Sequence, residues 1–316
     1  MIYSVVVPIY NDAELAADFC RELKAAFADR LGERLDADLE VVFVDDGSKN
    51  DSVEVLKRLP ADYPFVKVIV LSRNFGQHIA ISCGYRHTRG RFIAYLNVDQ
   101  EDPPDQILPL ADSLDKNGWD IVGGLYSKRD VPFLARVTSY LFNVFLNRLT
   151  GYDQPTNAST LRVMTRRFID AYNGLGEKSR YIPGLEMWLG FKYGRLPVKH
   201  QKRRVGKSSY NFTRRLRMAI ESIISFSDYP LRFAVKFGFM VTAVGALLIA
   251  ALVVDKLFFR ELLPGYLSTI TAVVLLGGIQ VMVTGVASLY IGRILAEVQG
   301  RPLYVVRETL GDLPEK

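Results

Sequence analysis

Glu40-Val41-Val42-Phe43-Val44-Asp45-Asp46-Gly47-Ser48 is an apolar run stopped by two acids and a turn pair. Short β-branched runs bounded by turn residues read as buried strands. Upstream, Ile2-Tyr3-Ser4-Val5-Val6-Val7-Pro8 is a strand of the same kind. Between them Leu15, Phe19, Leu23 and Phe27 recur every four residues, which is one face of a helix. Downstream, Val66 to Leu71, Phe92 to Leu96 and Asp120 to Leu125 continue the pattern. Strands alternating with helical stretches predict βαβ units and an α/β fold with a mostly parallel sheet. Polar residues cluster where these strands end, which is where open α/β sheets bind ligands.

A second regime begins past residue 236. No charged residue occurs from Phe237 to Val254, nor from Tyr266 to Gly292. A helix needs roughly 20 apolar residues to cross a bilayer, so a two-helix transmembrane hairpin is expected. Just before it, Lys192 to Arg217 holds ten Lys/Arg and no Asp or Glu. Beside a span, such a cluster fits anionic lipid headgroups and the cytoplasmic side; nucleic acid is the rival partner and is not expected. The segments Phe133 to Leu149 and Leu216 to Leu231 mix apolar and basic residues and read as interface helices or as amphipathic core helices. Residues 2–8 already form a strand-like run with no basic n-region, so no signal peptide is expected. Cys20 and Cys83 read as inert thiols.

Several chemistries lose their support. No Gly-x-Gly-x-x-Gly follows the first strand, and no Gly-Lys-Ser/Thr loop exists. No Cys/His set has zinc spacing, and His78, His87 and His200 show no partner pattern. Acids do sit at strand ends. Along an extended Asn97-Val98-Asp99-Gln100-Glu101 segment, alternate residues share a face, so Asn97, Asp99 and Glu101 present three oxygen ligands suited to Mg²⁺ or Mn²⁺. Plain turn chemistry explains the same residues without a metal.

The motifs taken together resemble one family. They are Val7-Pro8-Ile9-Tyr10-Asn11, Val44-Asp45-Asp46-Gly47-Ser48, Ser72-Arg73-Asn74-Phe75-Gly76, the Asn97 to Pro104 segment, Leu161-Arg162-Val163, Arg203-Arg204-Val205-Gly206-Lys207-Ser208-Ser209-Tyr210 and Tyr290-Ile291-Gly292-Arg293. The chain resembles family 2 glycosyltransferases of GT-A fold, and within them the polyprenyl-phosphate glycosyltransferases that include dolichol-phosphate-mannose synthase. The resemblance implies a Rossmann-like GT-A domain over residues 1–212, an interface helix over 213–236, the hairpin over 237–292 and a cytoplasmic tail over 293–316. It implies that Pro8, Tyr10, Asn11, Asp45, Asp46 and Arg73 hold the nucleotide. Asp99, with Asn97 and Glu101, would hold the metal ion on the diphosphate. Arg129, Arg136, Arg203 and Lys207 would meet the phosphates of donor and lipid acceptor, and Arg162, Ser208 and Tyr210 would bind substrate.

Three positions depart from the family pattern. Asn97 replaces the first acid of Asp-x-Asp, Thr160 stands where many relatives carry an Asp, and Ser209 replaces the Lys of Ser-Lys-Tyr. The second departure is chemically tolerable, since a lipid phosphate is already anionic and attacks without a strong base. The expected activity is inverting transfer of a sugar from a nucleotide-sugar, UDP-glucose or another UDP-hexose, to undecaprenyl phosphate. Its setting is the cytoplasmic face of the inner membrane, with membrane lipids as partners and both termini inside. The resemblance admits a homotetramer. A processive polysaccharide synthase is the rival enzyme, although neither Trp119 nor Trp188 lies in a Gln-x-x-Arg-Trp motif. A catalytically dead membrane scaffold is the rival outside enzymology.

Overall fold

The computed structural model describes residues 1–99, 101–126, 157–199, 201, 229–258 and 265–313. Two compact units divide the chain: Met1–Asn147 with Tyr152–Tyr210 and Arg301–Lys316, and Arg148–Gly151 with Asn211–Gly300.

The first unit is built on one eight-stranded sheet. Its strands are β1 (Tyr3–Ile9), β2 (Leu39–Asp45), β3 (Val66–Leu71), β4 (Phe92–Tyr95), β5 (Ile121–Tyr126), β6 (Ala158–Thr165), β7 (Tyr193–Val198) and β8 (Val306–Leu310). Their order across the sheet is β7-β5-β6-β4-β1-β2-β3-β8. Among the described residues, the longer helices between them are α1 (Ala16–Leu31), α2 (Ser52–Asp62), α3 (Gln77–Arg86), α4 (Ile107–Asn117), α5 (Arg166–Asn173) and α6 (Ile182–Trp188). β1 and β2 are buried on both faces, as expected of near-continuous Val/Ile/Phe runs in a covered sheet. One face packs Val5, Val7, Val41 and Phe43 against Phe19, Leu23 and Phe27 of α1. On the other, Val42, Val44, Ile69 and Leu71 meet Ala80 and Cys83 of α3.

Four of the seven strand pairings are parallel, so the sheet is mixed, with its parallel part at β4-β1-β2-β3. β6 runs antiparallel between β4 and β5. β8 runs antiparallel on β3. The segment expected as a plain tail therefore supplies an edge strand to the sheet. Its Val-Arg-Glu-Thr-Leu sequence carries charges outward, as exposed edges commonly do. Arg89–Asp312 and Lys57–Glu308 ion pairs accompany it.

Among the described residues, two helices belong to the second unit: α7 (Tyr229–Phe258) and α8 (Tyr266–Val298). At 1.5 Å per residue they are about 45 and 50 Å long, against a hydrocarbon core of about 30 Å. Both are long and apolar enough, by length and composition, to cross a membrane. Phe239, Leu247, Val273, Leu275 and Val281 are exposed along them. The helices extend past the uncharged stretches, so Arg293 and Glu297 lie within α8.

Candidate active site

Strand register brings the acids together. Ile9 pairs with Asp45, and Asp45 with Val70, so β1, β2 and β3 end at one edge. Pro8 sits in β1 opposite Val44. Beyond it, Asn11 adopts φ 64°, a left-handed conformation that Asn tolerates. Its amide donates to Ser48 Oγ, and its side-chain oxygen accepts from the Lys49 amide. Asn11 therefore ties the loop after β1 to the loop after β2. Tyr10 is left exposed on that tie, with its amide bound to Asp12.

The two acids after Val44 face different tasks. Asp45 is fully buried, and its Oδ2 accepts from the Gly47 and Ser48 amides at 3.1 Å. Its Oδ1 is buried with no hydrogen-bond partner. Such an atom is costly to leave unmade, and it suits a donor brought by a ligand. Asp46 instead spends both oxygens on backbone, accepting from the Phe75 amide at 2.7 Å and the Gly76 amide at 2.9 Å. Burial pushes its carboxyl above the usual value, against the pull of those two donors. Asp46 thus fixes the loop after β3. Gly47, at φ 68° in the loop after β2, lies against that loop, where a Cβ would come 2.6 Å from the Asn74 nitrogen. The loop so held carries Arg73, whose guanidinium lies 4.2 Å over the Phe75 ring.

The loop after β4 is not the extended stretch on which the three-ligand reading was built. Asn97 Oδ1 accepts from Gln77 Nε2 at 2.9 Å and from the Tyr95 hydroxyl at 3.0 Å. That oxygen is engaged by donors from α3 and β4. Val98 and Asp99 form a turn, not an extended stretch, and the Glu101 amide donates to Asp99 Oδ1 at 3.3 Å. Asp99 and Glu101 therefore share one turn at the edge. Among the described residues no group of three or more His, Cys, Asp or Glu is placed to hold a metal.

Asp102 is the residue that sequence reasoning passed over. It is buried and accepts from Ser159 Oγ and Thr160 Oγ1, both at 2.6 Å, and from the Leu161 amide at 3.2 Å. The position where relatives carry an Asp is thus a hydroxyl already donated to a neighbouring carboxylate. Nothing local marks Asp102, because its partners lie 57 to 59 residues away.

Arg162 is not on the open surface. It is buried, donates to the Ser159 and Leu161 carbonyls, and pairs with buried Glu186 at 3.3 Å. Its guanidinium is thus held from beneath by β6 carbonyls and Glu186. Arg129, Arg136, Arg203, Lys207, Ser208 and Tyr210 lie outside the described residues, as does the Phe133 to Leu149 segment.

Comparison with known proteins bears on this edge. Residues 4–172 match the model for glycosyl transferase family 2. The chain is 33% identical over 310 residues to the uncharacterized glycosyltransferase YkcC of Bacillus subtilis (strain 168), covering 98% of this chain and 94% of that protein. It is 33% identical over 310 residues to the undecaprenyl-phosphate 4-deoxy-4-formamido-L-arabinose transferase of Pseudomonas syringae pv. syringae (strain B728a), covering 96% and 90%. Among solved structures, S. aureus TarS 1-349 in complex with UDP-GlcNAc aligns with a TM-score of 0.46 and 18% identity, over 71% of this chain and 66% of that one. The matched segment runs from Ser4 in β1 to Tyr172 in α5 and so spans every strand-end carboxylate described above; the chain belongs to glycosyl transferase family 2.

Proposed function

We propose that the protein transfers a sugar from a nucleotide-sugar to a polyprenyl phosphate, with undecaprenyl phosphate as the acceptor and a UDP-hexose as the donor. The observation that carries this reading is the extent of the likeness to the undecaprenyl-phosphate transferase of Pseudomonas syringae. It covers 96% of the chain and therefore takes in the long apolar helices as well as the sheet. A water-soluble donor and a lipid-borne acceptor call for an enzyme of that build.

In this reading the edge of β1, β2 and β3 holds the nucleotide. Asp45 offers its unpaired Oδ1 to a base N–H, and Tyr10 offers an exposed ring beside it. Asp46 and Gly47 act through the Arg73 loop. Mg²⁺ usually binds through one or two carboxylates plus substrate phosphates. Asp99 and Glu101, on one turn, fit Mg²⁺ or Mn²⁺ in that manner. Bound there, the ion would neutralise charge developing on the departing nucleoside diphosphate.

Arg129, Arg136, Arg203 and Lys207, with Ser208 and Tyr210, are assigned to the phosphates of donor and acceptor. Cations of this kind hold two anions side by side against their repulsion. The acceptor phosphate is itself the nucleophile and attacks the anomeric carbon with inversion, so Thr160 accepts no proton. Its hydroxyl bond to Asp102 agrees with that assignment. In this reading transfer takes place at the cytoplasmic face of the membrane, the side that the basic residues flanking the apolar stretches favour. Incubating the full chain in detergent with undecaprenyl phosphate and a panel of labelled nucleotide-sugars tests the proposal. Label in the organic phase is the expected result.

A further inference from the structure

A polar relay leads from the Asp99 turn to a cavity. Asp102 lies three residues beyond Asp99 and holds Ser159 and Thr160 at the start of β6. The Ser159 carbonyl accepts from Arg162 Nη1 at 2.5 Å, and Arg162 Nε reaches Glu186 Oε2 at 3.3 Å. The other oxygen, Glu186 Oε1, is buried with no hydrogen-bond partner, and Glu186 is only 3% exposed. Glu186 lines a cavity of about 20 Å³ with Gly123, Gly124, Arg162, Tyr193 and Arg195. That volume takes one water molecule or one hydroxyl group.

The site is built rather than left over. Arg162 pairs across the sheet with Tyr95 on one side and Gly123 on the other. The cavity therefore adjoins the strand end that leads into Asn97 and Asp99. A glycine keeps its strand wall bare: a Cβ at Gly123 would lie 2.5 Å from the Tyr193 hydroxyl, which lines the same cavity. Burial pushes the Glu186 carboxyl above its usual value, and Arg162 opposes that shift. Buried carboxylate oxygens without a donor are few in native proteins, and each calls for a partner.

We infer that this cavity is a hydroxyl subsite, where Glu186 Oε1 accepts a hydrogen bond from one hydroxyl of the transferred sugar and so selects which sugars are used. The inference rests on the proposed nucleotide-sugar function and deepens it. A sugar hydroxyl supplies one O–H donor of the right size. A site built to bond a hydroxyl rejects the analogue lacking it far more strongly than an apolar pocket does.

Calorimetric titration of the full chain in detergent tests it, using UDP, UDP-hexoses and monodeoxy analogues of the tightest-binding UDP-hexose. The wild type is expected to bind one deoxy analogue about ten- to hundredfold more weakly than its parent. In Glu186→Gln, Arg162 retains the amide oxygen and an NH₂ faces the cavity, so the difference should shrink to a few-fold while UDP affinity is unchanged. If that variant does not fold, Gly123→Ala, whose Cβ meets the Tyr193 hydroxyl at the cavity wall, narrows the same cavity and should erase the same difference. A wild type indifferent to every deoxy analogue, or discrimination that persists in the folded variant, overturns the inference while leaving the proposed function standing. Failure of the wild type to bind any UDP compound defeats the proposed function and the inference with it.

Discussion

His78 opens α3 beside the loop that Asp46 holds. Its side chain is half-buried, its Nδ1 is buried with no hydrogen-bond partner, and desolvation lowers its pKa from 6.5 to about 4. The unfolded chain therefore binds one more proton than the folded one between those values. Stability is complete above pH 6.5 and falls as pH drops toward 4, by about 3 kcal/mol at most. Unfolding followed from pH 7 to pH 4.5 should show this loss, and His78→Phe should flatten it; an unchanged slope in His78→Phe refutes the assignment. At this scale the sequence was legible in placing Asp45, Asp46 and Asp99 at or just past strand ends. It was illegible where a side chain is claimed by a distant partner. Asn97 is engaged by Gln77 twenty residues earlier, and Arg162 by Glu186 twenty-four later. No local pattern carries those pairings.

The loops after β2 and β3 behave as one element. Asp46 accepts two amides of the second loop, and Gly47 presses on its backbone. Gly47→Ala introduces a Cβ at φ 68° against the Arg73–Asn74 backbone, which cannot yield without moving Arg73. A loss of about 1–3 kcal/mol in stability is expected. UDP affinity should fall about tenfold or more by calorimetry, and unaltered affinity would dissociate this loop pair from nucleotide binding. β1 to β5 were readable from their apolar runs. β6, β7 and β8 were not, because their polar and charged residues hide the alternation: Arg162 in β6, Arg195 in β7, and Arg307 with Glu308 in β8. β8 also follows a long apolar helix, which makes its return to the sheet invisible locally.

For the whole molecule, charge bias supplies the topology. Arg232 and Lys236 flank the entry to the first apolar stretch, and Arg293 and Arg301 follow the second, whereas Lys256 and Arg260 in the connection are offset by Asp255 and Glu261. Positive residues favour the cytoplasmic side, so the connection should face outward. Cys20 and Cys83 are both buried, which keeps thiol labelling low in the parent chain. Gly265→Cys should react with an impermeant thiol reagent added from outside, and reaction only from the cytoplasmic side would invert the topology. The central claim is that a lipid phosphate receives the sugar at an edge served by Asp99. Its most direct measurement is release of nucleoside diphosphate by the purified full chain, with and without undecaprenyl phosphate, for the wild type and Asp99→Ala. Release that requires the lipid, matches the labelled lipid formed mole for mole, and is abolished by Asp99→Ala is the predicted result. Equal release without the lipid, or full activity in Asp99→Ala, would contradict it.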